Sequence, residues 1–304
     1  MDASDAAATD RGAKPVDVVG ILLLIVLAAV YAPLLRELLH RWEVDPYAGH
    51  GMFVPIYSGL LLWFERRHLA ATPRTRSPAG GICVLAALAL LWVGRLTDSI
   101  VLQGISLVVA VAGSVLWRFG AARLRAAAFP IAFLAFMLPL PKAVVDMVTL
   151  DAQNFHASFT SAALQLIGVP HLQRGIYIEL PKATLVVVEG CNGLRFLMAL
   201  VTLTAAFAQA TQRSLGRKFL LTVLAVPIAV IANGFRVTAL SLAAYRFGAH
   251  AVEGMTHHSI GKAIWALALG LVIVLGLLLR RGPRRDAIAA RSAIADASRL
   301  DVSG

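Results

Sequence analysis

The sequence predicts an all-α fold, a polytopic bundle of about eight transmembrane helices with an outer amphipathic helix and a small extended segment. The chain is 59% hydrophobic and only 15% charged, whereas about a quarter of the residues of a soluble domain are charged. The apolar residues form long runs, and the basic residues lie in short segments between them. Apolar content of this extent and arrangement indicates that lipid is the solvent.

Eight apolar runs reach or approach the roughly 20 residues that a spanning helix needs. They are residues 17–35, 52–64, 80–94, 99–117, 126–141, 184–208, 219–247 and 260–280. The second and third runs are short for a full span, so they extend into their flanks or one of them is re-entrant.

The segments that connect the runs alternate in charge. One set is basic (66–76, 118–125, 213–218 and 280–285), and the other is sparse or balanced in charge (36–51, 94–98 and 249–259). Positive residues stay in the cytoplasm, and eight spans with both termini inside place every basic segment there. We therefore expect a multi-pass protein of the bacterial inner membrane. This topology also explains the net charge of +11 without a nucleic-acid partner.

Three parts follow from this topology. Residues 1–16 are expected to be a disordered cytoplasmic tail, 17–280 the transmembrane domain, and 281–304 a cytoplasmic C-terminal tail. Within the domain, 142–183 is expected to be an insertion at the outer face. Its first part has the apolar spacing of an amphipathic helix lying in the interface plane, and its second part has the short alternating stretches of a hairpin or extended return to the membrane.

Polar residues interrupt two of the predicted spans, where such groups are costly and raise a functional question. The sixth contains Glu189, Cys191, Asn192 and Arg195, and the seventh contains Asn233 and Arg236. We expect Cys191 and Arg195 to share one helical face, because they are four residues apart. The last outer loop brings Glu253, His257 and His258 to the same side of the membrane. Three separate segments thus converge on the outer face.

Each residue taken alone has an ordinary structural explanation. A cysteine in an apolar helix is usually an inert small hydrophobe, and we assign this role to Cys83. Arg236 alone is equally well a snorkelling side chain at the end of a span, and a single loop histidine, such as His50, is usually only exposed. The shared side of the membrane favours a joint site for Cys191, Arg236 and His257 or His258.

Cysteine, histidine and arginine together are sufficient for acyl transfer through a thioester. A cation near a thiol favours the thiolate nucleophile, histidine can protonate a departing amine, and a fixed guanidinium can stabilise the oxyanion of a tetrahedral intermediate. The chemistry needs no cofactor. The spacing of His257, His258 and one cysteine does not match a zinc site, so we expect no metal.

The motifs resemble those of the exosortase/archaeosortase family. The resemblance rests on VVVEGCNGLRFLMALVTL (186–203), IANGFRVTAL (231–240) and a histidine in the last outer loop. Upstream stretches at 45–63, 128–141 and 163–181 match as well, so that the resemblance covers roughly residues 40–275. Asn192 stands where the family often has serine, and Lys262 where an aromatic residue is common; these departures concern the subfamily.

The resemblance implies a membrane cysteine protease or transpeptidase that acts on secreted proteins. Their C-terminal sorting signals, of the PEP-CTERM kind, combine a short motif, a hydrophobic helix and a basic end. Cys191 then matches the nucleophile, Arg236 the family's arginine and His257 its histidine. His257 is preferred because Gly261 follows it at the family's four-residue spacing, with His258 as the alternative. The acceptor nucleophile is not specified.

Three other functions remain open at the level of sequence. A small transporter or polysaccharide-export subunit would use the polar groups to line a pathway, although the sequence shows no paired discontinuous helices. A plain membrane protease would hydrolyse the thioester instead of transferring the acyl group. A scaffold without chemistry would tolerate the replacement of Cys191 by alanine.

Overall fold

The computed structural model describes residues 18–187, 193–252 and 255–280. The helices are α1 (Val18–Val44), α2 (Phe53–Phe64), α3 (Arg66–Ala71), α4 (Pro78–Leu96), α5 (Ile100–Phe119), α6 (Ala121–Ala126), α7 (Ala128–Phe133), α8 (Lys142–Ile167), α9 (Leu194–Thr211), α10 (Leu215–Phe247) and α11 (Met255–Arg280). The strands are β1 (Leu172–Arg174), β2 (Tyr177–Leu180) and β3 (Ala183–Val186). The two predicted tails, 1–16 and 281–304, lie outside the described residues.

The described helices confirm an all-α, polytopic membrane protein. Six of them, α1, α4, α5, α9, α10 and α11, are long and apolar enough to cross a bilayer. Large apolar side chains on these helices are exposed, as at Leu24, Trp92 and Leu267. Exposure of this kind on so many helices is typical of surfaces that face lipid.

The number of spans in the described residues is six or seven, against the eight runs of the sequence. Helix α2 has 12 residues, and at 1.5 Å per residue it is about 18 Å long, too short for a hydrocarbon core of about 30 Å. The fifth run, 126–141, contains α7 and ends before α8. Ala128–Met137 and Lys142–Ile167 together pass as one candidate span that is bent at the break between them. This bent pair is the seventh span if it crosses the membrane as one unit.

The chain divides into two compact units. The first comprises Met1–His40 and Ser58–Leu138, and the second comprises Arg41–Tyr57 and Pro139–Gly304. In the first unit, α4 and α5 pack closely through small residues. A Cβ on Gly80 would lie 2.1 Å from the backbone nitrogen of Trp117, and one on Gly113 would lie 2.9 Å from Cβ of Cys83. Close backbone approach through glycine is a common way for helices to associate in membranes.

The second unit is built around α10. One apolar cluster joins α9, α10 and α11 through residues that include Leu200, Leu221 and Val272. At the other end of α10, a second cluster joins Leu164 of α8, Ile178 of β2 and Ala244. Helices α8, α9 and α11 and the small sheet therefore all pack against this one helix.

The insertion predicted at 142–183 contains the expected helix and the expected extended segment. The three strands pair antiparallel in the order β1-β2-β3, with Leu172 opposite Glu179 and Tyr177 opposite Val186. Helix α8 turns its polar residues inward: His156 and Thr160 are buried, whereas Leu166 is 89% exposed. Its buried polar face packs against α10, where the hydroxyl of Thr238 donates to that of Thr160 at 3.4 Å.

Helix α9 begins later than the sequence indicates. The apolar run at 184–208 predicts one helix, but residues 183–186 form β3 and the helix begins at Leu194, after Gly193 with a φ of 79°. Cys191 lies outside the described residues, so that the expectation that Cys191 and Arg195 share a helical face stays a prediction. A short run of valines is compatible with either a strand or a helix, and its pattern does not distinguish them.

Candidate active site

The middle of α10 presents the polar residues singled out in the sequence. Asn233 and Arg236 are three residues apart, so they lie on neighbouring positions of one helical face. Asn233 is 1% exposed and Arg236 is half-buried. Both residues belong to α10, which is long and apolar enough to cross a membrane.

Gly193, the residue before α9, lies against Asn233. A Cβ on Gly193 would be 2.8 Å from Cγ and from Nδ2 of the Asn233 side chain, so that only glycine fits this approach. Its φ of 79° also lies in the left-handed region, where other residues are strained. The start of α9 is thereby fixed beside the turn of α10 that holds Arg236.

Val187, at the end of β3, is fixed near the same turn. It is 1% exposed and packs in one apolar cluster with Ala157 of α8 and Val237 of α10. Its backbone nitrogen donates to the carbonyl of Ile176 at 3.0 Å. The chain is thus held at Val187 near Val237 and at Gly193 against Asn233, two positions one turn apart on α10.

Helix α11 approaches Arg236 from another direction. A Cβ on Gly261 would lie 3.4 Å from Nε of Arg236, which means that the guanidinium packs against this glycine. His257 lies one turn earlier in α11, about 6 Å along the helix axis from Gly261. The side chains of His257 and His258 are not among those that the structure describes.

The described residues therefore form a continuous series of contacts, Gly193 to Asn233 and, one turn further, Arg236 to Gly261. Cys191, Glu189 and Asn192 lie in the segment 188–192, which is outside the described residues. Glu253 is outside the described residues as well. Two residues of chain span at most about 7 Å, which limits the distance between the Cα atoms of Cys191 and Gly193. Arg195, expected beside Cys191, is in the first turn of α9 with its side chain exposed.

One buried histidine near this region was missed at the level of sequence. His156 of α8 is 1% exposed, and its Nε2 lies 3.2 Å from the carbonyl oxygen of Val230 on α10. The available signal was the polar stretch DAQNFH (151–156) in an otherwise apolar segment. The pattern of this stretch is that of the polar face of an amphipathic helix, and it does not distinguish a buried histidine from an exposed one.

Metal binding is not supported by the described part of the chain. Within 18–187, 193–252 and 255–280, no three side chains of histidine, cysteine, aspartate or glutamate lie close enough together to hold a metal ion. The arrangement that remains is a guanidinium held between two helices, beside the ends of a segment that contains a thiol. Such an arrangement is suited to stabilising negative charge on an oxygen.

Comparison with known proteins identifies the family. No curated protein and no solved structure matches the chain. The sequence model of the transmembrane exosortase family matches residues 42–274. That range includes α9 and α10, the insertion at 142–183 and the N-terminal part of α11, which together are most of the membrane domain. The chain belongs to the transmembrane exosortase family.

Proposed function

We propose that this protein is a cysteine transpeptidase that cleaves the C-terminal sorting signals of secreted proteins through a thioester on Cys191. The observation that supports the proposal most strongly is the attachment of both ends of the segment 188–192 beside Arg236. Val187 packs with Val237, and Gly193 lies against Asn233. Arg236 lies between these two positions on α10, and the proposal takes Cys191, in the five-residue segment 188–192, to lie near its guanidinium.

The first half of the reaction forms the thioester. His257 accepts the proton of the Cys191 thiol, and the thiolate adds to the carbonyl carbon of the peptide bond at the sorting motif. Arg236 donates hydrogen bonds to the oxyanion of the tetrahedral intermediate. The carbon–nitrogen bond then breaks, and His257 returns the proton to the departing amine. The signal's hydrophobic helix and basic end are released with this amine.

The second half releases the secreted protein. An acceptor amine or a water molecule attacks the thioester carbonyl and gives a proton to His257, and sulfur leaves as the thiolate. The proton then returns from His257 to Cys191 and restores the starting thiol. Transfer to an amine gives transpeptidation, and attack by water gives hydrolysis. The partners are therefore the lipid bilayer, a secreted protein with a motif, a hydrophobic helix and a basic end, and an acceptor nucleophile.

The proposed location is the outer face of the bacterial inner membrane, with both termini in the cytoplasm. The support is the charge of the connecting segments, since 66–76, 118–125, 213–218 and 280–285 are basic. Reporter fusions after Arg280 and after His250 test this sidedness. A periplasmic reporter should be active only in the fusion after His250, and activity in the fusion after Arg280 would overturn the assignment.

The test of the reaction is co-expression with a secreted reporter that ends in a PEP-type motif, an apolar helix and a basic tail. The wild type should shorten the reporter, and mass spectrometry of the protein trapped during turnover should find the reporter's acyl group on Cys191. An acyl group on another residue would contradict the proposal. So would a failure to process any reporter in a set that carries each of the candidate sorting signals encoded near this gene.

The choice between the two histidines needs a paired experiment. His257→Ala and His258→Ala are adjacent substitutions at the start of α11 with similar effects on helix formation. We expect processing to be lost in His257→Ala and kept in His258→Ala, because Gly261 follows His257 at the four-residue spacing typical of the family. The reverse result would assign the proton transfer to His258.

A second candidate function is transport, and one observation favours it. The bent pair Ala128–Met137 and Lys142–Ile167 is a discontinuous helix of the kind found at transporter sites. A transporter would keep its activity when Cys191 is replaced by alanine, and it would form no acyl-enzyme. The mass-spectrometric experiment therefore separates the two functions.

A further inference from the structure

A pocket of about 380 Å³ lies among α8, α10 and the start of α9 in the second unit. Its walls are almost wholly apolar and are formed by residues that include Val148, Ala152 and Phe155 of α8, Leu194 and Leu197 of α9, and Val230 of α10. Its volume falls in the range of small-molecule sites, which begins at about 300 Å³. It can hold one or two amino-acid side chains.

The position of the pocket connects it with the proposed reaction. Gly193 and Leu194 are part of its lining, and they follow Cys191 by two and three residues. The Cα atoms of Cys191 and Gly193 are at most about 7 Å apart. A peptide whose carbonyl carbon is attacked at Cys191 therefore has its neighbouring residues within reach of this pocket.

Two of the residues that line the pocket, Thr149 and His156, are buried and polar. Nε2 of His156 donates to the carbonyl oxygen of Val230 at 3.2 Å, and the backbone of Ala152, one turn back on α8, is a second neighbour of the ring. Nδ1 has almost no accessible surface. The imidazole is therefore part of the wall of the pocket and is closed to a bound ligand.

The lining also limits what can bind. None of the described residues that line the pocket is a lysine or an arginine, and the one acidic residue among them, Asp151, is exposed. A carboxylate placed inside would lose its hydration without gaining a cation from these residues, which is strongly unfavourable. An apolar side chain fits the walls.

We propose that this pocket is a specificity site for the residue next to the scissile bond. It binds an apolar side chain of the sorting signal. The inference rests on the proposed function, because it assumes that a peptide is cleaved at Cys191.

The first test changes the pocket and the substrate together. Reporters carry glycine, leucine or glutamate on either side of the cleavage site, and each is processed by the wild type, Ala152→Trp and Ala143→Trp. Ala143 is an exposed residue of α8 outside the pocket, so its variant controls for a bulky residue on this helix. We expect the wild type to prefer leucine over glutamate at one position by about tenfold or more, and only Ala152→Trp to shift the preference to glycine.

The outcomes separate the two proposals. If the wild type processes no reporter, the proposed function fails. If it processes reporters but Ala152→Trp and Ala143→Trp keep the same preference, the pocket assignment fails. A second measurement is independent of turnover: with a benzophenone amino acid at position 148 or 143 in a Cys191→Ala background, the uncleaved reporter should cross-link only at position 148. Equal cross-linking, or none at position 148, would also overturn the assignment.

Discussion

The packing of α4 against α5 in the first unit differs in kind from the packing around α10 in the second. The first pair approaches through glycine, with Gly80 and Gly113 in backbone contact. The helices around α10 instead enclose polar side chains, among them His156, Thr160 and Asn233. Among the described residues, fewer polar groups are buried in the first unit. They include Ser58, Ser106, the hydroxyl of Tyr31, which lies 3.1 Å from Oγ of Ser106, and guanidinium nitrogens of Arg118.

The comparison shows why the two cysteines have different expected roles. Cys83 lies where α4 packs on α5 through small residues, and its Cβ is close to Gly113. The residues next to Cys83 in the sequence are uncharged. Cys191 is joined by short chain segments to the polar group around α10. Burial of polar groups in a membrane protein is costly and often marks function, so the unit that contains them is where chemistry is expected.

The largest expected effect is the difference between the two cysteines. Cys191→Ala should lower reporter processing by roughly 10⁴-fold or more, as expected for the loss of a catalytic nucleophile. Cys83→Ala removes only a small apolar group and should process the reporter at close to the wild-type rate. Quantitative immunoblotting of the reporter, with membrane-inserted protein as the normalisation, measures both. Equal activity of the two variants would contradict the assignment of a catalytic role to Cys191 and a packing role to Cys83.

The next largest effect concerns Gly193, which combines a positive φ with a close contact. Gly193→Ala should reduce processing by about 10²-fold, because a displacement of about 1 Å at a site can have that effect. Gly168 has nearly the same φ, 77°, but no atom within 4 Å of a Cβ placed there. Gly168→Ala therefore shares the backbone strain of about 1–2 kcal/mol and should leave processing almost unchanged. A similar loss in both variants would attribute the effect to strain alone.

The packing of α4 on α5 should respond in stability. Gly80→Ala places a Cβ 2.1 Å from the backbone nitrogen of Trp117 and should destabilise the protein by about 1–3 kcal/mol, the usual cost of overpacking. Gly81→Ala meets no atom within 4 Å and should stabilise its helix by about 1 kcal/mol. Thermal unfolding in detergent, followed by tryptophan fluorescence, measures the opposite shifts of Tm. Equal shifts would mean that this pair does not depend on close backbone approach.

The smallest effect is expected at Gly261. Gly261→Ala introduces a Cβ 3.4 Å from Nε of Arg236, so the guanidinium must move by a few tenths of an ångström. Processing should fall about fivefold, equivalent to about 1 kcal/mol in the barrier. Gly270→Ala, on the same helix with no atom within 4 Å, gains the same helix propensity and should keep its activity. Steady-state processing rates of the two variants on one reporter measure the difference. Equal rates would contradict the prediction that the contact of Gly261 with Arg236 affects processing.

The sequence predicted most of the fold because long apolar runs and charge alternation determine membrane helices. It predicted less well where a run was short. The run at 52–64 has the composition of a span, but α2 has only 12 residues. Valine at 186 and 187 satisfies the pattern of a helix as well as that of a strand. In the structure Val186 belongs to β3, and α9 begins only at Leu194.

For the candidate site, the sequence predicted which residue types interrupt the spans but not which of them are buried together. Asn233 and Arg236 followed from helical spacing. His156 did not, because a histidine in an amphipathic segment is expected to face water, and only the packing of α8 on α10 turns it inward. Long-range contacts of this kind are set by tertiary packing, which local periodicity does not contain. The roles of Cys191, Arg236 and His257 remain predictions.

The attachment of the chain at Gly193 has a consequence that can be stated as a concentration. With its Cα confined within about 7 Å of Gly193, Cys191 occupies a sphere that holds one thiol at an effective concentration on the order of 1 M. Inserting two residues between Cys191 and Gly193 doubles the radius and lowers this concentration about eightfold. The separation of two residues between a cysteine and the glycine fixed on Asn233 therefore acts on reactivity through chain length alone, with every side chain of the site unchanged.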